Sequence, residues 1–300
     1  MKAADVMDSV VARLIEGIEA GAGTWSMPWR TLTGSIWPTN AATTNAYRGG
    51  NVLVLYLTAT DRAYPTGRWA TYKQWHSLGA QVRRGERATQ AIKWVEAKPN
   101  TDDPNQPAEG DAKPRRRLIP VAFSLFNAAQ VDNDPHHDHD EALPVLERDG
   151  RAEAFFAAIP ARIAWASGNP CYQPTYDRIV MPAFDAFNTA TDAYATLAHE
   201  LGHWTGHPSR LARDLTGRFG TDAYAAEELV AELSAAFICA LVGIDTVART
   251  DHTSYLAHWC RILRERPAHL WHVASRAQAA TDYLAAHYAD PTSPAVAVAA

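Results

Sequence analysis

The stretch Thr191-Asp192-Ala193-Tyr194-Ala195-Thr196-Leu197-Ala198-His199-Glu200-Leu201-Gly202-His203-Trp204 decides how the second half of this chain folds and what it can hold. Thr191 and Asp192 are helix-capping types, the six residues after them carry no charge, and Leu197, Leu201 and Trp204 recur at helical spacing. The pattern predicts an amphipathic helix. On it His199 and His203 stand four apart and share a face, so both imidazoles can turn a nitrogen toward one cation. With 12 histidines in 300 residues, chance supplies roughly 0.02 matches to His-Glu-x-x-His, so the motif is informative before its context is considered.

A protein-held metal of this kind needs a third ligand, and the downstream run Ala225-Ala226-Glu227-Glu228-Leu229-Val230-Ala231-Glu232-Leu233-Ser234-Ala235-Ala236-Phe237 offers three carboxylates. Glu228 and Glu232 are again four apart, on one face of an otherwise apolar helix. Carboxylates aimed into a core are costly unless a cation or a donor receives them. Glu228 is therefore assigned as the third metal ligand, and Glu232 as the acceptor of a proton from a ligand histidine. Glu227 lies one residue off that face and is expected in solvent. The rival third ligand is His207, but the longer three-histidine pattern wants its last histidine six residues beyond His203, where Ser209 stands. His207 is expected at the site's edge. Glu200, between the two histidines, is the candidate catalytic base; the competing reading is a metal that only ties two helices together and leaves Glu200 without a task.

This half resembles the zincin metallopeptidases of the glutamate-ligand type, in which His-Glu-x-x-His is followed by a helix of the form Glu-x-x-small-acid, here Glu228-Leu229-Val230-Ala231-Glu232. The resemblance implies zinc as the cofactor, with manganese or cobalt compatible with the same ligands. It also implies a water activated by Glu200 that attacks a peptide carbonyl polarised by the cation. In such enzymes the substrate is laid as an added strand, which points to Arg178-Ile179-Val180-Met181. Tyr224, His252 and Tyr255 are the candidate transition-state donors.

The net charge of -5 conceals a division: residues 1–120 hold 16 Lys and Arg against 11 Asp and Glu, and the remainder holds 12 against 22. Between Arg62 and Lys93 seven basic residues face the single acid Glu86, with the aromatics Tyr64, Trp69, Tyr72, Trp75 and Trp94 interleaved. Cations that track phosphates and rings that stack on bases suit single-stranded nucleic acid. The candidate DNA contacts are Trp69, Tyr72, Lys73, Trp75, Arg83, Arg84, Arg87 and Lys93, with Arg83 and Arg84 favoured for phosphate and Tyr72 and Trp75 for stacking. Tryptophans in a core with a solvated basic rim would give the same composition.

Two domains of an α+β protein follow: an N-terminal α/β nucleic-acid-binding unit over 1–130, a linker over 131–145, a mostly helical unit over 146–290 and a tail over 291–300. Helix is expected over residues 4–19 and from Asn51, and strand over 91–96, 120–126 and 178–181, with an exposed proline- and charge-rich insert over 97–117. Three cysteines without a Cys-x-x-Cys pair exclude a disulfide framework and a cysteine-rich zinc module. No apolar run reaches the about 20 residues of a membrane helix, and the amino terminus does not read as a signal peptide, so a soluble, cytoplasmic protein is expected.

Trp25-Ser26-Met27-Pro28-Trp29, Pro38-Thr39-Asn40, Tyr47-Arg48-Gly49-Gly50-Asn51, Trp69-Ala70-Thr71-Tyr72-Lys73-Gln74, Leu78-Gly79-Ala80-Gln81-Val82-Arg83-Arg84-Gly85-Glu86 and Phe126-Asn127-Ala128-Ala129-Gln130-Val131 resemble the N-terminal domain of ArdC-type antirestriction proteins. A similar domain occurs in some conjugative plasmid primases. The second half, with its His199 to His207 stretch and Glu227-Glu228 helix, is similar to that family's metallopeptidase-like domain. The resemblance covers nearly the whole chain. It implies a single-stranded-DNA-binding domain joined to a zincin-like domain, and protection of incoming plasmid DNA from restriction during conjugation. Two mechanisms are compatible with it: a hydrolase acting on a host restriction enzyme or another protein, and a DNA-binding shield whose metal site is only structural.

Overall fold

Helix α1 (Ala3–Ala20) buries Val6, Val10, Val11, Leu14 and Ile15, the stripe that four-residue spacing lays on one face. Helix α2 (Gly50–Asp61) is buried continuously from Val52 to Ala59, the mark of a helix enclosed on all sides. The computed structural model describes residues 2–20, 37–97, 118–135, 145–166, 168–187, 189–217, 221–244 and 253–288. The loop holding Trp25 and Trp29, most of the 97–117 insert, the acidic tract from 136 to 144 and the tail lie outside the described residues.

In the N-terminal half β1 (Thr39–Asn40), β2 (Arg68–Ala70), β4 (Thr89–Glu96) and β5 (Leu118–Asn127) form a sheet ordered β1-β2-β5-β4, parallel only between β1 and β2. Helix α3 (Tyr72–Ser77) leads into β3 (Gln81–Val82), which pairs antiparallel with β6 (Val131–Asp132). Asp134 is held at 2.7 and 2.8 Å by the Arg68 guanidinium, so ordered structure of this half runs on through the first residues expected as linker. The quoted motifs serve this fold. Thr71 and Gln74 form a capping box on α3, Asn127 and Gln130 form another after β5, and Asn127 Nδ2 donates to Thr66 O at 2.8 Å.

The C-terminal half opens with α4 (Val145–Ala158) and a three-stranded sheet of β7 (Arg162–Trp165), β8 (Cys171–Gln173) and β9 (Arg178–Met181), ordered β7-β9-β8. Four helices follow: α5 (Ala190–Trp204), α6 (Asp222–Val242), α7 (Thr253–Glu265) and α8 (His269–Ala285). A core of Phe155, Ile179, Met181, Leu197, Leu201 and Ile238 fixes α5 and α6 against the small sheet. A larger core draws on both halves: α1 and α2 meet Leu229, Val230, Leu233 and Phe237 of α6, Trp259 of α7 and Trp271 of α8. At Gly50 a Cβ would come within 2.3 Å of the Trp271 ring, so the absence of a side chain there is what lets α2 dock on α8. Helix α6 thus carries the candidate carboxylates between two cores, with Leu229, Leu233 and Phe237 in the shared one and Ile238 in the smaller. No described helix is long and apolar enough to cross a membrane.

Candidate metal centre and nucleic-acid face

The cap of helix α5 lies two residues before the expected Thr191: Thr189 Oγ1 accepts from Asp192 N at 3.1 Å. Helix α6 is capped by Thr221 through Tyr224 N at 3.3 Å and closed by Gly243 in the left-handed region at φ 78°. The two helices cross at Gly202. A Cβ there would lie 3.1 Å from Ala231 Cα and 3.3 Å from Ala231 O, so this glycine lets the α6 backbone come in beside the histidine pair.

That approach brings Glu228 to both imidazoles. His199 Nε2 is 3.6 Å from Glu228 Oε2, His203 Nε2 is 3.5 Å from Glu228 Oε1, and one donor atom from each of the three lies within 4.8 Å of the others. Ligand bonds of about 2.0 to 2.2 Å around a tetrahedral ion place neighbouring donors about 3.3 to 3.6 Å apart, so the residues fit a small divalent cation. The opposite nitrogens are also engaged. Glu232 Oε1 is 3.0 Å from His199 Nδ1, and Glu227 Oε1 is 3.3 Å from His203 Nδ1.

Glu227 departs from expectation. It is buried rather than solvated, because Arg213 folds over it and supplies the compensating charge through Nη2 to Oε1 at 2.8 Å and Nε to Oε2 at 3.0 Å. One residue of rotation off the ligand face of α6 does not reach solvent when a loop crosses above it. His207 takes no part in the cluster; its Nδ1 pairs with Ser209 Oγ at 2.7 Å.

The electrostatics are those of a site rich in negative charge. Burial opposes a charge on His199, yet the Glu228 and Glu232 carboxylates beside its two nitrogens outweigh that and raise its pKa to about 10. Burial likewise opposes ionisation of Glu228, but the imidazoles of His199 and His203 beside it and the Tyr224 hydroxyl pull it down to about 2. Glu227 is lowered as well, burial being outweighed by His203 and Arg213.

Glu200 is buried and lines, with His199, His203 and Glu228, a cleft of about 400 Å³ whose other walls include Cys171, Tyr172, Leu215 and Tyr224. Strand β9, expected to receive a substrate strand, is instead the middle strand, with β7 parallel on one side and β8 antiparallel on the other. Its ladder is already used. Among the described residues the edge on the cleft is β8, through Cys171 and Tyr172. Of the three proposed donors, Tyr224 lines the cleft; His252 and the Tyr255 side chain lie outside the described residues.

In the N-terminal half Trp69 and Trp75, expected as DNA contacts, are 0% exposed. They are core residues: Trp75 Nε1 donates to Phe126 O at 2.9 Å, and Trp69 packs edge-on to Tyr64. Neither ring offers a face to a base. Tyr72 at 49% and Trp94 at 54% exposure do. Tyr72, Arg83 and Arg84 meet around one groove, whereas Lys73, Arg87 and Lys93 are exposed outside its lining. Arg83 is largely committed, to Glu86 at 3.1 Å, Val131 O at 3.1 Å, Ala129 O and Asp132 at 3.6 Å. Lys73, Arg84, Arg87 and Lys93 pair with no carboxylate among the described residues.

Comparison with known proteins agrees with this division. Residues 4–126 match the family described as the N-terminal domain of anti-restriction factor ArdC, and residues 150–276 match the zincin-like metallopeptidase family. The uncharacterized protein y4eC of Sinorhizobium fredii is 39% identical over 287 residues, covering 95% of this chain and 93% of that one. A DNA primase TraC of Escherichia coli is 38% identical over 292 residues, 93% of this chain but 27% of the primase. Crystal structures of the antirestriction protein ArdC from plasmid R388 are similar throughout. The metal-free one has TM-score 0.75 and 34% identity, covering 95% of this chain and 100% of that one. The Mn(II)-bound one has TM-score 0.73 and 35% identity, covering 94% and 97%.

Proposed function

The chain belongs to the ArdC-type antirestriction family, and on that premise we propose that it is a metal-dependent hydrolase joined to a single-stranded-DNA-binding unit, protecting plasmid DNA that enters a restricting host during conjugation. In this reading residues 1–130 bind the strand without strong sequence preference, residues 146–290 hold the metal, and the protein acts in the cytoplasm, where an entering strand meets restriction enzymes. The observation that carries it is the convergence of His199, His203 and Glu228 on one point in a cleft that Glu200 also lines. A purely structural site has no use for an unligated glutamate between its histidines and closes its fourth position with protein.

Two imidazoles and one carboxylate suit zinc, and they also accept manganese or cobalt. Once bound, the cation supplies Lewis-acid polarisation of a substrate carbonyl. Everything else falls to the chain. Glu200 takes the proton of an attacking water and returns it to the leaving amine, the role of a general base that becomes a general acid. Tyr224 donates to the developing oxyanion, and β8 lines up a peptide as an added strand. On the DNA side Tyr72 and Trp94 stack on bases while Lys73, Arg84, Arg87 and Lys93 follow phosphates.

Plasmid transfer into a restricting host separates this reading from the shield. Glu200→Gln, shown to keep its metal and DNA affinity, is expected to lose protection, as is the double variant Lys73→Ala/Arg84→Ala. Full protection by Glu200→Gln alongside failure of the double variant would leave the DNA-binding shield, with a structural metal, as the function.

A further inference from the structure

We propose that Arg213 is a positioning residue of the metal centre: by gripping both oxygens of Glu227 it holds that carboxylate on His203 and so orients the ring. The inference rests on the metal reading above. Glu227 and Glu228 are consecutive on α6, both line the cleft and both reach His203, Glu227 at Nδ1 (3.3 Å) and Glu228 at Nε2 (3.5 Å). Their chemistry is identical; α6 turns Glu228 to the ligand face, and a group outside the helix holds the Glu227 carboxylate, one residue round, on the far nitrogen of His203. Arg213 is that group. Its side chain is 5% exposed, and besides its two bonds to Glu227 it donates from Nη2 to Gly202 O at 2.6 Å and from Nη1 to Thr205 Oγ1 at 2.8 Å. Anchored on the last turn of α5, the guanidinium fork fixes both Glu227 oxygens in one orientation; a lysine has no second prong for this. The glycine after His203 keeps the lane open. A Cβ on Gly206 would lie 3.1 Å from Arg213 Nη2 and 2.9 Å from Leu215 Cδ2.

The test is a competition titration of Zn(II) and Co(II) against a chromophoric chelator, on the full chain, for Arg213→Met, Glu227→Gln and the double variant. Arg213→Met is expected to weaken metal binding about 10- to 100-fold, the usual cost of losing a partner that orients a ligand. In the Glu227→Gln background the same change should cost little, since no carboxylate charge is left to hold. The visible absorption of the Co(II) form should change in Arg213→Met, because a Glu227 no longer gripped leaves the His203 ring unoriented and disturbs the geometry of the ligand set. Wild-type affinity in Arg213→Met, or an equal loss in both backgrounds, overturns the proposal and leaves Arg213 as a brace for Thr205 and Gly202. If Arg213→Met does not fold, Arg213→Lys takes its place, with a loss expected and unchanged affinity contradicting. Failure of the wild-type chain to bind any cation is a distinct result and overturns the metal reading together with this one.

Discussion

Glu232 Oε1 stands 3.0 Å from Nδ1 of His199, while Glu228 Oε2 stands 3.6 Å from Nε2 of the same ring, so the imidazole is held between two carboxylates of one helix. In the proposed reading Glu228 shares the cation and Glu232 sets the ring's tautomer and tilt. Replacing Glu232 by Gln keeps the shape and removes the charge. Metal affinity is expected to fall about 10- to 100-fold without being abolished, read by chelator competition. Complete loss of metal from this variant would exchange the roles assigned to Glu228 and Glu232.

The aromatic residues of the N-terminal half divide by exposure, and DNA binding should follow that division. Tyr72→Ala and Trp94→Ala are each expected to weaken single-strand binding by about 1 to 3 kcal/mol in a fluorescence titration. Trp75→Phe should act on stability instead, because that indole is buried and hydrogen-bonded to Phe126 O. Arg84→Ala should flatten the salt dependence, whereas Arg83→Ala, whose guanidinium is tied to Glu86 and Ala129, should mainly loosen the β3-β6 ribbon. Equal affinity for duplex would contradict the stacking account.

How much of this could be read from the chain follows from which signals are local. The histidine pair, Glu228 and Glu232 share a helical period, and a period is visible in one dimension. The burial of Glu227 is not legible, because its partner Arg213 arrives from a loop and no spacing announces a salt bridge across a turn. The burial of Trp69 and Trp75 is illegible for a related reason: a tryptophan among basic residues has the same composition whether it faces solvent or a sheet. The short strands Arg68–Ala70 and Cys171–Gln173 leave no pattern because three residues cannot display alternation, and without β8 the central place of β9 has no sequence signal. Only at Gly206 does a local signal point toward Arg213, in a glycine of the turn after α5 whose φ is not positive.

Phe237 is fully buried in the core shared by the two halves and meets the edge of Trp37 at 5.4 Å between centroids. Phe237→Ala should cost about 3 to 5 kcal/mol of stability and lower the melting of both halves together. Proteolysis in the 136–144 tract should likewise give two fragments that stay associated on gel filtration, since α1 and α2 remain packed on α6, α7 and α8. Separate melting of the halves, or fragments that part on dilution, would contradict a shared core.

Asp177 closes the corner between β8 and β9. Arg210 hydrogen-bonds it while stacking over Trp204 at 3.9 Å, and that contact, with the Tyr172 hydroxyl, outweighs burial and lowers the carboxyl from 3.8 to about 2. A carboxyl depressed in the folded state adds stability above its unfolded pKa, and that contribution disappears as pH falls from about 4 toward 2. Asp177→Asn should therefore melt lower than wild type at pH 5 and converge with it near pH 2. Parallel melting curves across that window would remove Asp177 as a brace of the cleft wall.

Elemental analysis of the purified chain beside two single variants bears most directly on the metal centre. One divalent metal per chain is expected in the wild type and in Glu200→Gln, and none in Glu228→Ala, each folded by circular dichroism. Metal retained at full stoichiometry by Glu228→Ala, or lost from Glu200→Gln, would contradict the assignment of His199, His203 and Glu228 as the site and of Glu200 as the base beside it.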